Sequence, residues 1–299
     1  MTLAKREGCE VRGCRGAGAL LLGAILAGSP AALAAPAPAA TPPTAEALQA
    51  ITTSAKRIAS YHEAVARTRE RVRKEDPELA DAARFLVVTR GSAWHVLVLQ
   101  KKTATPDARG WLLLADAGFM PTAGEVTTYQ KYEPMKPVPP DGLLMLQALD
   151  VARAAAAASE QEIKPPFEES IFKSATRGGP ITVTLQTKPA SPGTARFGSD
   201  IRADISADGA QMKIIEALHT GKESASVAVP KQGGGEPPLH QHEEGDLPTD
   251  TDVAVVLDHP TLAPVLVLTP RFMFRIGEDG AITYLGPNPV PPVDAGGGQ

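Results

Sequence analysis

Apolar residues recur at helical spacing along the segment Thr44 to Lys74, where Leu48, Ile51, Ala55, Ile58, Tyr61 and Val65 make one stripe. Lys56, Arg57, Arg67, Arg69, Arg71 and Arg73 occupy the other face. Glu46, Glu63, Glu70 and Glu75 dilute that charge, which favours a solvated face on a packed helix over a helix lying on a membrane surface.

Shorter apolar runs follow. Arg84–Arg90 (RFLVVTR) and Trp94–Lys101 (WHVLVLQK) flank Gly91-Ser92 and predict a β-hairpin. Gly110–Ala115 and Val126–Tyr132 predict two more strands, and Pro134–Pro140 predicts a break. Asp141 then precedes Leu143, Leu144, Leu146, Leu149 and Val151, a helix expected to run through the alanine tract to about Glu162.

The second half alternates as strands: Ile181–Thr187, Asp200–Ser206 and Met212–Leu218, the last two joined by an Asp208-Gly209 turn. Residues 220–238 are polar and read as a loop. A short helix is expected at about Asp250–Leu257, then strands at Val265–Leu268, Phe272–Ile276 and Ile282–Leu285. The pattern predicts an α+β fold: a mixed, mainly antiparallel sheet with packed helices, and a separate N-terminal helix. The expected division is a signal peptide at 1–34, a Pro/Ala linker and amphipathic helix at 35–82, an α+β domain at 83–286 and a disordered tail at 287–299.

The start of the chain adds a location. Lys5, Arg6, Arg12 and Arg15 precede an apolar run from Ala17 to Ala27, and Ala32-Leu33-Ala34 offers a small-x-small cleavage site before Ala35. That run is too short to span a bilayer, which takes about 20 residues. The expected location is periplasmic or extracellular, with no integral membrane span once the segment is removed. Both cysteines, Cys9 and Cys14, lie in that segment. The mature chain would therefore have no disulfide, no thiol nucleophile and no cysteine-ligated zinc site. A formal net charge of −4 and 4% aromatic residues argue against a nucleic-acid partner. An unidentified protein or peptide is the partner class that remains.

One segment carries chemistry, from Leu239 to Val253. On an extended strand His240 and His242 project from the same face. Asp252 follows in the first turn of the predicted helix. Two imidazoles and a carboxylate are a metal-ligand set, and a fourth position left for water would make a catalytic zinc site. The same residues also fit plain helix capping, with Thr249 as the cap and Asp252 reaching back to it.

The segment resembles the JAB/MPN (JAMM) metalloprotease signature, in which His-x-His is followed by a short loop and Ser-x-x-Asp. His240 and His242 match the pair, Thr249 stands at the serine position and Asp252 at the aspartate. The resemblance covers at most about residues 141–286. The segment around Phe197-Gly198 with Asp208-Gly209, through to the final hairpin, is also similar to uncharacterised secreted bacterial proteins. The metalloprotease resemblance implies zinc held by His240, His242 and Asp252, Thr249 donating a hydrogen bond to developing charge, and hydrolysis of peptide or isopeptide bonds. Glu243 replaces the family's proline, and the loop to Thr249 is about a residue short. The general-base glutamate is missing: the Phe197–Ile205 stretch offers Asp200 and Asp204, and Arg196 stands near the expected place. Glu168, Glu169 and Glu216 have surroundings unlike the family's. The alternative is a non-catalytic envelope or secreted protein that keeps the fold without turnover. A cupin reading needs Asp246 as the motif acid and His259 as a further ligand, and matches less well.

Overall fold

A computed structural model describes residues 41–289 apart from 91–92, 103–109, 160–165, 177, 190, 199, 220–224 and 232–234. The segment 1–34 expected as a signal peptide, the linker up to residue 40 and the tail from 290 lie outside the described residues.

The first helix, α1 (Ala45–Glu75), begins at Thr44, whose side chain accepts from the Ala47 backbone N–H. It ends where Asp76 turns extended and caps the short α2 (Pro77–Ala82). The buried stripe of α1 runs Leu48, Thr52, Ala55, Ile58, Tyr61, Ala64, Thr68 and Val72. The basic face is solvated, but it is not idle: Arg57, Arg69 and Arg71 lie over the rings of Phe172, Phe85 and Tyr129.

An antiparallel meander follows: β1 (Arg84–Arg90), β2 (Ala93–Lys101), β3 (Trp111–Met120) and β4 (Glu125–Pro137), in that spatial order. The predicted break at Pro134 is absent, because β4 is an edge strand and continues to Pro137. An edge tolerates proline, since the missing N–H faces no neighbour. Helix α3 (Pro140–Ala158) then buries Leu146 and Leu149 fully and packs Leu143 against the same core.

The second sheet takes the order β5-β6-β8-β9, built from β5 (Phe167–Lys173), β6 (Ile181–Thr187), β8 (Asp200–Ile205) and β9 (Met212–Ala217). The Asp-Gly turn forms as expected, with Gly209 at φ +73° between β8 and β9. A Cβ there would meet the Leu144 carbonyl oxygen at 2.9 Å, so glycine also lets the turn approach α3. Between β6 and β8, β7 (Thr194–Phe197) leaves this sheet and pairs with β10 (Ala225–Ala228).

The last sheet contains β11 (Leu239–Gln241), β12 (Val265–Leu268), β13 (Phe272–Ile276) and β14 (Ile282–Pro287) in sequence order. Its first pair, β11 with β12, is parallel. Helix α4 (Asp250–Asp258) crosses between them.

The class is α+β with antiparallel pairing dominant, as the pattern predicts. The strands divide among four sheets instead of one. The N-terminal helix is docked. Tyr61, Ala64 and Val72 of α1 belong to the core shared by the meander, α3 and the second sheet. Leu48, Ala55 and Ile58 belong to a second core with α4, β7 and the C-terminal sheet. Among the described residues no helix is long and apolar enough to cross a membrane.

Candidate metal centre

His240 lies in the middle of β11, opposite Val267 of β12. The ladder continues one step further, with the His242 N–H donating to the Leu268 carbonyl at 2.7 Å. The extended backbone through Gln241 therefore turns both imidazoles to one side, as the alternation requires. Phe197 of β7 stacks on the His240 ring at 5.1 Å between centroids.

Asp252 reaches the same place from α4. Thr249 caps that helix in a reciprocal box. Its hydroxyl accepts from the Asp252 N–H at 3.2 Å, and its own N–H donates to Asp252 Oδ2 at 2.8 Å. The capping reading and the ligand reading thus describe the same residues. The cap consumes Oδ2 and leaves Oδ1 buried with no hydrogen-bond partner. Thr249 Oγ1 also donates to Oδ2 at 2.9 Å, so the threonine holds the aspartate through both its backbone and its side chain.

A third imidazole completes the group. His219 follows β9, where the Leu218 N–H donates to the Asp200 carbonyl and extends the β8–β9 ladder. Its Nδ1 donates to the Asp200 carboxylate at 2.5 Å, which turns Nε2 inward. His219, His240, His242 and Asp252 can jointly hold one metal ion. Sequence reasoning brought three of the four together and missed His219.

The spacing suits an ion at the centre. His219 Nε2 stands 3.2 Å from His242 Nε2 and 3.1 Å from Asp252 Oδ1. His240 Nε2 is 3.2 Å from Oδ1, and His242 Nε2 is 3.0 Å from Oδ2. Bonds of about 2.0–2.1 Å to a tetrahedral zinc put neighbouring ligand atoms roughly 3.3 Å apart. His240 Nε2 and Asp252 Oδ1 face each other at that spacing without hydrogen bonding. Buried polar atoms left so are costly unless a third body lies between them. The four residues are only 1–3% exposed.

Charge tells the same story. Burial alone would lower the His219 pKa, but Asp252 and then Asp200 outweigh it and push it up to about 11. Burial alone would raise the Asp252 pKa, yet the three imidazoles hold it well below the usual carboxylate range. Two buried carboxylates thus favour positive charge at this place, which a protonated His219 or a bound cation can supply.

The other acids weighed as bases go elsewhere. Glu169 binds Arg84 and Arg153. Glu216 lies 3.9 Å from Arg202, and Asp204 accepts from Thr182 at 2.8 Å. Glu168 falls in a different group, with His62 and Asp258. Asp246, the cupin acid, pairs with Arg271, and His259 caps α4 at its C-terminus. No family model, curated protein or solved structure matches this chain.

Proposed function

We propose that this is an exported, non-catalytic protein of the cell envelope or extracellular space, with a structural zinc ion locking its C-terminal half. The observation that carries the proposal is His219. It takes the fourth position that a hydrolytic water needs, in a group 1–3% exposed. Structural zinc sites are closed in this way, whereas catalytic ones keep a position open. Three imidazoles and one carboxylate suit zinc, and the set needs no cysteine, in keeping with a mature chain that has none.

The JAMM-type hydrolase remains the second reading, favoured by the two strand histidines and the helix aspartate. It requires His219 to yield its position to water and a base to enter from elsewhere. Absence of the family's glutamate weighs against it.

Metal analysis of protein recovered from the exported fraction separates the readings. One zinc per chain is expected, lost in both His219→Ala and His242→Ala. Stripping the metal should lower the melting temperature by roughly 10 °C, since a chain of this size moves about 2–4 °C per kcal/mol and structural zinc contributes several. Metal-free wild-type protein, or an unchanged melt after stripping, would sink the structural role. Zinc-dependent cleavage of peptide or isopeptide substrates would establish the hydrolase instead.

A further inference from the structure

We propose that His62, Glu168 and Asp258 form a second metal site, reachable from solvent, for a first-row divalent transition-metal ion. The three come from three elements: His62 from α1, Glu168 from β5 and Asp258 from the end of α4. One nitrogen of His62 and one oxygen of each acid lie within 4.8 Å of one another. A nitrogen with two carboxylate oxygens is a borderline set that zinc, cobalt or manganese accepts.

The imidazole itself points to a ligand. The His62 side chain is 8% exposed, and Nδ1 meets Asp258 Oδ2 at 2.7 Å. Nε2 is buried with no hydrogen-bond partner. Nδ1 and Asp258 Oδ2, already side by side, face each other as two ligands of one ion would, with Glu168 the third.

Access separates this group from the buried centre. Two clefts, of about 360 and 620 Å³, are each lined by both His62 and Glu168. The larger also touches Asp258 and His259. Three protein ligands with open space beside them leave coordination positions for water, the converse of the closed tetrad. Lys188 and Arg69 line the smaller cleft, and their charge makes the ion weaker-held and exchangeable.

Titration of zinc-loaded protein with cobalt(II) tests the site. A second equivalent should bind, with the weak visible absorption of five- or six-coordinate cobalt. Glu168→Gln and Asp258→Asn should each weaken that equivalent at least about tenfold. Both are near-isosteric, and an unchanged melt in the absence of cobalt confirms their folding. His242→Ala should lose the first equivalent and keep the second, so the two sites fail independently. Zinc-loaded wild type that takes up no cobalt, or a cobalt equivalent indifferent to both Glu168→Gln and Asp258→Asn, would overturn the proposal.

Discussion

Asp200 is outside the metal-ligand group, yet it decides which nitrogen of His219 faces it. With Nδ1–H committed to Asp200, only Nε2 can present a lone pair inward. Asp200→Asn keeps the shape but removes the charge, and its amide can offer a donor where an acceptor is needed. Zinc affinity, read by competition with a chromogenic chelator, should fall about 10–100-fold. Retained affinity would show that His219 orients itself without Asp200. The pair of His240 and His242 was legible because alternation on a strand needs only local sequence. Asp252 was legible through its cap. His219 stands apart from them in the chain, so no local pattern ties it to the others. A signal did exist: the Asp208-Gly209 turn fixes a hairpin register that pairs Ile201 with Ala217, which brings Asp200 beside Leu218 and His219.

At the scale of elements, α1 shows what periodicity conveys and what it omits. The apolar stripe predicted a helix with one covered face, and its bounds moved by about a residue. It did not say what covers the face. Thr52 and Ala64 are buried, while Ile51 and Val65 sit only partly covered at its margins. Ile58, 2% exposed, fills the C-terminal core, so Ile58→Ala should cost about 2–5 kcal/mol in urea unfolding. Arg67→Ala, on the exposed face, should change stability by less than about 0.5 kcal/mol. Equal effects would mean that α1 is not held by this core. The strands missed from sequence fail for two reasons. β7 and β10 have four residues each, too few to establish alternation. In β5 the residues Glu168 and Glu169 interrupt the apolar run because they carry ion pairs and a cleft instead of core.

At the scale of the molecule, α1 is, among the described residues, the one helix whose buried face enters both cores. The α+β class could be read from the run of strands and helices, since each run is local. The division into four sheets could not, because it depends on which edges meet after the chain has folded back. Sharing a helix should make the two cores melt together. Both tryptophans, Trp94 and Trp111, pack against the first core, and the metal centre adjoins the second. Tryptophan fluorescence and zinc release should therefore trace the same thermal transition. Release of zinc well before any fluorescence change would show two independently unfolding halves.

The depth of the tetrad has a consequence in time. With its four side chains 1–3% exposed, an ion held there would be shielded from water by its own ligands. Exchange must wait for the C-terminal sheet, α4 and the end of β9 to part. If the tetrad holds zinc as proposed, the residence time of the ion would be set by how often that region opens. Occupancy would then follow changes in metal supply slowly, at the pace of those openings.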